Sequence, residues 1–196
     1  MTQPSRTSTN NSVRAASTLF RERGIDGVGV AEISKEAGLT HGALYAQFAS
    51  KDALAAEAFA AGGNRVYKKM LADGNASVDE LIGAYISKRH RDDAADGCPI
   101  AASGSEVGRK DKAVSAAFAA SVERMVAAME GAIDERVPPA VRRERALAMV
   151  AGKIGAVIVA RGLAKAKPRL SDEMLASARA VLTEIGGSPR RRSRSR

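Results

Sequence analysis

The residues best suited to recognition chemistry lie in one short segment, Thr40 to Phe48. If this segment is a helix, Leu44 and Phe48 lie four residues apart on its inner face. The solvent side then presents the positions Thr40, His41, Gly42, Ala43, Tyr45, Ala46 and Gln47. A short helix with such a surface is of the kind that enters the major groove of DNA.

A second helix must position this surface, and the preceding segment supplies it. Apolar residues at i, i+3 and i+7 fall at Val30, Ile33 and Ala37. This spacing predicts one buried face. Gly38 can adopt the left-handed conformation that ends a helix, and Thr40 can cap the next one. Helix, glycine turn and capped helix together predict a helix-turn-helix unit.

Helices on either side complete a small domain. Upstream, an apolar stripe is formed by Val13, Ala16, Leu19 and Phe20. Downstream, Ser50 is a suitable N-cap for a helix that begins at Lys51. We expect a shared core of Phe20, Val30, Ile33, Leu39, Leu44 and Phe48. Three helices in about forty residues make a unit of the size that reads DNA.

The runs A-x-x-L-F-R-E-R-G and V-A-E-I-S-K-E-A-G-L-T-H-G-A-L-Y-A-Q-F-A-S-K-D-A-L resemble the N-terminal domain of the tetracycline-repressor (TetR) family of transcriptional regulators. One departure is Val28-Gly29, where the family usually has Thr or Ser. The resemblance implies that His41, Gly42 and Ala46 lie near base edges. It also implies positions near phosphate for Thr40, Tyr45, Gln47 and Lys51.

Composition predicts an all-α protein, because the chain is 45% hydrophobic, only 4% aromatic and free of period-2 runs. The helix and turn signals along the chain predict about nine helices. The longest apolar stretch, Ile154 to Ala160, is short of the roughly 20 residues that a membrane span needs. The polar N-terminus has no apolar region typical of a secretory signal. The single cysteine, Cys98, fits a reducing compartment, so we expect a cytoplasmic protein.

The net charge of +9 permits nucleic-acid binding without proving it. Five arginines lie in the last seven residues, and the rest of the chain carries only +4. Residues 1–60 sum to zero. The Ser/Arg tail has no apolar residue to form a core and is expected to be disordered. It is either a solvated tail or a nonspecific nucleic-acid contact.

We expect four regions along the chain. They are a disordered arm (1–11), a helix-turn-helix DNA-binding domain (12–56), a ligand-binding and dimerisation domain (57–186) and the disordered tail (187–196). Helices after the motif are expected over Lys51–Leu71, from Ser77 towards His90, over Asp111–Arg136 and Ala140–Lys165, and from the cap Ser171 to Gly186.

The last two helices are apolar over more of their surface than one packed face needs, which indicates a partner. The resemblance implies a four-helix bundle in a homodimer. Its candidate residues are Ile154, Val157, Ile158, Leu175 and Leu182. Two helix-turn-helix domains related by a two-fold axis would bind a palindromic operator.

The long C-terminal region is expected to bind a small, mostly apolar effector that releases DNA. Candidate lining residues are Tyr85, Ile86, Cys98, Phe118, Val122, Met125 and Met129, with Ile158 as a further candidate. Methionine suits loosely specific apolar sites. The alternative for each of these residues is ordinary core packing. The sequence does not identify the effector.

Three interpretations of Cys98 stay open: a small buried residue, a reactive sensor thiol, or a metal ligand with His90, Asp92 or Asp93. We expect no metal and no cofactor. No catalytic constellation is present, so an enzyme is not expected. The alternative function is a helical ligand-binding or adaptor dimer that does not bind specific DNA, which Val28 and the neutral N-terminal region favour.

Overall fold

The computed structural model describes residues 6–61 and 76–187, and every regular element within these ranges is an α-helix. The all-α prediction is confirmed. The described helices are α1 (Arg6–Arg23), α2 (Val30–Glu36), α3 (His41–Tyr45), α4 (Lys51–Ala61), α5 (Val78–Tyr85), α6 (Lys88–Asp92), α7 (Pro99–Val107), α8 (Lys112–Ala132), α9 (Pro139–Leu163) and α10 (Pro168–Ile185). The second half of the predicted helix Lys51–Leu71, and the tail from residue 188, lie outside the described residues.

The described residues form two compact units. The head unit contains residues 6–61 and 93–123, and the body unit contains 76–92 and 124–187. Helix α8 therefore supplies residues to both. The sequence assigned 93–123 to the C-terminal domain, whereas in the structure α7 packs against α1 within the head unit.

The core of the head unit is built by α1 packing on α4, α7 and α2, and by α2 packing on α3. Phe20, Ile33, Leu44 and Phe48 are at most 4% exposed, as the apolar spacing predicted. Val30 and Leu39, the other two predicted core residues, are half-buried. The helical period therefore identifies the buried face, and the structure differs from the prediction only at Val30 and Leu39 on the edge of that face.

The body unit is organised around the pair α9 and α10. A glycine allows their close approach, because a Cβ on Gly152 would lie 3.0 Å from a methyl of Leu182. At the start of α5, the Ser77 hydroxyl accepts from the Glu80 amide and the Glu80 carboxylate accepts from the Ser77 amide. This capping box was expected at this position.

Several helix starts and ends differ from those that the sequence predicted. Helix α1 begins at Arg6, inside the predicted disordered arm, where the Ser8 hydroxyl accepts from the Gln47 amide. The helix expected to run towards His90 breaks at Ile86, and Ser87 accepts from the His90 amide to begin α6. Helix α10 begins at Pro168. Ser171 is therefore not its cap but lies in its first turns, donating to the Ala160 carbonyl over 2.7 Å.

Helix α9 is long and apolar enough to cross a membrane by length and composition, with a mean hydropathy of 1.7 over 18 residues. However, 39% of that window is buried inside the protein. The helix also carries Lys153, which is fully buried with its Nζ 4.8 Å from the centroid of the Tyr85 ring. The core helix of a soluble protein has the same properties, so α9 is weak evidence for a membrane span.

Candidate nucleic-acid interface

The turn between α2 and α3 is a Schellman motif, which fixes the angle between the two helices. Gly38 has φ +69°, a conformation that glycine adopts without strain. Its amide donates to the Lys35 carbonyl over 3.1 Å, and the Leu39 amide donates to the Ser34 carbonyl over 2.8 Å. These two bonds satisfy carbonyls that the end of α2 would otherwise leave without partners.

Helix α3 is short, and its local contacts hold it in place. The Thr40 hydroxyl accepts from the Ala43 amide over 3.2 Å, which confirms the predicted N-cap. Leu44 anchors the helix in the core at 2% exposure. The recognition helix was predicted to reach Phe48 but ends at Tyr45, and a final turn continues through the bond from the Phe48 amide to the Leu44 carbonyl.

The outer face of α3 offers polar and very small side chains to solvent. Its exposed positions are Thr40, His41, Gly42, Tyr45 and Ala46. The His41 and Tyr45 rings meet edge-on, with centroids 5.0 Å apart. A Cβ added to Gly42 would meet nothing within 4 Å. A partner backbone can therefore approach α3 closely at this glycine.

Gln47 has an intramolecular role that the sequence did not indicate. Its amide nitrogen donates to the Ser8 hydroxyl over 2.7 Å, and its amide oxygen accepts from the Ser12 hydroxyl over 2.8 Å. Ser12 is fully buried. Gln47 therefore attaches the first turns of α1 to the end of the recognition segment. The spacing of two serines by four residues on α1 is the signal from which this contact could have been sought.

The start of α4 adjoins the recognition helix. The Ser50 hydroxyl accepts from the Ala53 amide over 3.0 Å, as an N-cap does, and Lys51 begins the helix half-buried. Tyr45 and Lys51 line the same small cavity. The structure thus brings two of the predicted phosphate-contacting residues together at one edge of α3.

The first helix of the motif departs from the family pattern for a structural reason. Val28 is 1% exposed and belongs to the core. Gly29 takes the N-cap position of α2 and makes no side-chain cap bond. Neither Val28 nor Gly29 has a hydroxyl that could contact a phosphate at this position.

One acidic side chain of α2, Glu32, pairs with Arg23 at the end of α1. Glu32 accepts from Arg23 over 2.5 Å, and this hydrogen bond is the largest cause of the raised pKa of Arg23. Both side chains are more than 40% exposed. Because solvent screens an exposed pair, it orients the two side chains more than it stabilises the fold.

The predicted ligand-lining residues are divided between the two units. In the body unit, the buried members are Tyr85, Ile86, Met125 and Met129. In the head unit, Cys98 is buried at the N-cap of α7, and Phe118 contacts the Phe59 ring edge-on at 6.0 Å. Val122 is half-buried, and Ile158 is 45% exposed on the surface.

The predicted dimerisation residues also separate into two groups. Val157, Leu175 and Leu182 are at most 8% exposed within their own chain, because they pack α9 against α10, and Ile154 is half-buried. Sequence could not separate this packing from an intersubunit contact. Ile158 is 45% exposed. The large apolar side chains exposed on α9 and α10 are Leu147, Ile158, Val159, Leu170 and Val181.

The residues considered for a metal site have other contacts. His90 Nδ1 lies 2.7 Å from the Tyr85 carbonyl oxygen. Asp92 accepts from Arg91, and that bond is the largest cause of the lowered pKa of Asp92. Within residues 6–61 and 76–187, no group of His, Cys, Asp and Glu side chains could hold a metal ion.

Part of the head unit matches a known protein family. Residues 13–58 match the family described as bacterial regulatory proteins, tetR family. This range covers α2 to the cap of α4 and most of α1 and α4. No curated protein matches the sequence.

Solved structures extend the likeness over nearly the whole chain. The reduced form of Escherichia coli NemR has a TM-score of 0.69 at 20% identity, over 91% of this chain and 96% of that one. A TetR-family regulator from Cytophaga hutchinsonii has a TM-score of 0.68 at 20% identity, over 94% and 98%. One from Agrobacterium tumefaciens has 0.68 at 18% identity, over 92% and 98%. At these identities the likeness shows the fold alone.

Proposed function

We propose that this protein, whose N-terminal domain belongs to the tetR family of bacterial regulatory proteins, is a transcriptional regulator that binds a palindromic operator as a homodimer. The observation that carries the proposal is α3 itself. It is a capped helix anchored by Leu44, and its outer face is exposed and rich in small and polar residues. Regulators of this family are generally not enzymes, and a cytoplasmic location fits a DNA-binding role.

Within this proposal, His41, Gly42 and Ala46 approach base edges, as their resemblance to the family's motif implies, and all three are exposed on α3 or at its C-cap. Thr40, Tyr45 and Lys51 contact phosphates at its margins. Phosphate contacts fix the register of a protein on DNA, whereas base contacts specify the sequence. Gln47 supports the interface indirectly, since Ser8 and Ser12 engage its amide group.

The homodimer is proposed to form through the exposed apolar face of α9 and α10. Leu147 and Ile158 are eleven residues apart on α9, which places them on one side of the helix. Both are at least 45% exposed. A Cβ on Gly155 or Gly162 would meet nothing within 4 Å, so a second helix can approach this side closely. An exposed apolar face of this kind is typical of a protein–protein contact.

A gel shift with the DNA upstream of its own gene tests the proposal. Lys51→Ala should weaken binding to all sequences about equally and reduce the salt slope by about one, as expected for a phosphate contact. His41→Ala should instead change which bases are preferred. If wild-type protein shifts no DNA, the alternative of a helical ligand-binding or adaptor dimer replaces this proposal. The buried Val28, with no hydroxyl for phosphate, favours that alternative.

We also propose that a small, mostly apolar effector lowers the affinity for DNA. Compounds that raise the melting temperature in a thermal-shift screen can be titrated with and without operator. Allosteric coupling is reciprocal and typically worth about 1–3 kcal/mol, so operator must weaken the compound by the same factor. Equal compound affinities in the two titrations would leave a ligand that does not regulate DNA binding.

A further inference from the structure

A carboxylate on α7 is hydrogen-bonded to the turn that ends α1. Glu106 Oε2 accepts from the Ile25 amide over 2.6 Å and from the Asp26 amide over 3.3 Å. The residues are about eighty positions apart in sequence, and α7 lies outside the segment that matches the tetR family. Both helices belong to the head unit.

The turn is shaped to receive this carboxylate. Gly24 ends α1 with φ +76°, and its amide donates to the Phe20 carbonyl over 2.9 Å. A Cβ at position 24 would lie 2.3 Å from Glu106 Oε1. The left-handed backbone therefore favours glycine, and a Cβ at this position would displace the Glu106 carboxylate.

A reciprocal contact runs from the turn to the residues after α7. The Asp26 carboxylate accepts from Lys110 and, over 3.2 Å, from Arg109. The hydrogen bond from Lys110 is the largest cause of the lowered pKa of Asp26. The Lys110 side chain is only 12% exposed, against 66% for Arg109. Glu106 of α7 thus accepts hydrogen bonds from the turn, and Asp26 of the turn accepts them from the residues after α7.

Helix α2 begins at Val30, four residues after Asp26, and the Schellman turn joins α2 to α3. The turn that Glu106 contacts therefore adjoins the helix-turn-helix directly. We propose that Glu106 is a positioning residue for DNA binding, which holds the α1–α2 turn so that α3 is presented in its DNA-binding orientation. This inference rests on the proposed function.

The test compares Glu106→Gln and Glu106→Ala with the control Glu123→Gln, which removes an exposed carboxylate on α8 in the same unit. Affinity is measured at fixed salt for a palindrome selected by the wild-type protein and for unrelated DNA. Removing a negative charge lowers repulsion from phosphate, so electrostatics alone predicts equal or tighter binding for every variant.

If Glu106 positions the turn, its substitution should instead weaken binding to specific DNA. Specific affinity should fall by about threefold in Glu106→Gln, which keeps one acceptor oxygen, and by about tenfold in Glu106→Ala, the loss expected for one charge-assisted hydrogen bond. Affinity for unrelated DNA should not fall. The amide of Ile25 should exchange about tenfold faster in Glu106→Ala without DNA, at a temperature where circular dichroism shows the fold intact.

Unchanged or tighter specific binding in both Glu106 variants, as in Glu123→Gln, would overturn the inference. An equal fall for specific and unrelated DNA would also overturn it, because it would indicate general destabilisation. If wild-type protein selects no DNA sequence, the proposed function fails instead. Unchanged Ile25 exchange would then show separately that Glu106 does not hold the turn.

Discussion

Two exposed surfaces of this protein offer a partner very different side chains. On α3 the exposed residues are small or polar, and its one large exposed apolar group, Tyr45, carries a hydroxyl. On α9 and α10 the large apolar side chains that are exposed are all aliphatic, with Val181 exposed to 55%. The first surface suits hydrogen bonding in a groove, whereas the second suits exclusion of water against another apolar helix.

The two surfaces also depend on different sources of order. Helix α3 has five residues, too few to be stable alone, and depends on Gly38, the Thr40 cap and the buried Leu44. Helix α9 has 25 residues and packs along α10. A recognition helix can therefore be short if specific contacts hold it in place, whereas the proposed association surface lies on a long helix.

The largest expected effect separates two adjacent residues of α9. Val157→Glu would bury an unpaired carboxylate at a site with 0% exposure and should destabilise the chain by several kcal/mol, enough to unfold the body unit. Ile158→Glu, at 45% exposure, should keep the fold and dissociate the dimer. Circular dichroism and sedimentation measure the two outcomes. A folded Val157→Glu protein, or an Ile158→Glu dimer, would contradict the assignment of these two faces.

A second adjacent pair makes the same distinction on α3. Leu44→Ala should cost about 2–5 kcal/mol of stability, because the side chain is 2% exposed and its loss leaves a cavity. Tyr45→Ala should change stability little, since the ring is 46% exposed, but should weaken DNA binding. Urea unfolding and a gel shift check both. Equal stability losses would mean that Tyr45 acts through packing.

The smallest expected effect concerns acid stability of the body unit. Asp172 accepts from Lys88 over 2.6 Å and from Arg91 over 2.7 Å, and these bonds hold its pKa below the usual value, Lys88 contributing most. A carboxyl with a lowered folded pKa stabilises the protein above its unfolded pKa of about 3.9. That contribution is lost as pH falls through the folded pKa.

Asp172→Asn should therefore lower the free energy of unfolding at pH 6. When the pH falls from 6 to 3, the variant should lose less of this free energy than the wild-type protein does. Urea unfolding at each pH measures this, with the neighbouring Glu173→Gln as the control. Identical pH profiles for wild type and Asp172→Asn would show that these exposed contacts do not contribute to acid stability.

Local features of this fold were predictable from sequence, and long-range contacts were not. The Thr40 cap and the Ser77–Glu80 capping box join residues three apart, so residue type and spacing identify them. The contact of Ser12 with Gln47 spans 35 residues, and that of Glu106 with Ile25 spans 81. The four-residue spacing of Ser8 and Ser12 marks one side of the first contact, but no local pattern identifies the distant partner in either pair, because the packing of α1 brings the partners together.

The mispredicted cap at Ser171 has the same origin. Ser171 has the residue type and acidic neighbours of an N-cap, yet its hydroxyl donates to the Ala160 carbonyl on α9. Leu175 and Leu182 have the apolar character of an interface but pack inside their own chain. Apolar spacing identifies a face to be buried, not whether the same chain or a second copy covers it.

The most direct test of the central claim is selection of DNA by the wild-type protein from a random double-stranded library. Two copies of α3 on a two-fold axis should enrich an inverted repeat, with half-site centres separated by about one helical turn or a multiple of it. Recovery of such a palindrome is the predicted result. A library that remains random after selection, or an enriched site without two-fold symmetry, would contradict the account of α3 as the reading helix of a homodimer.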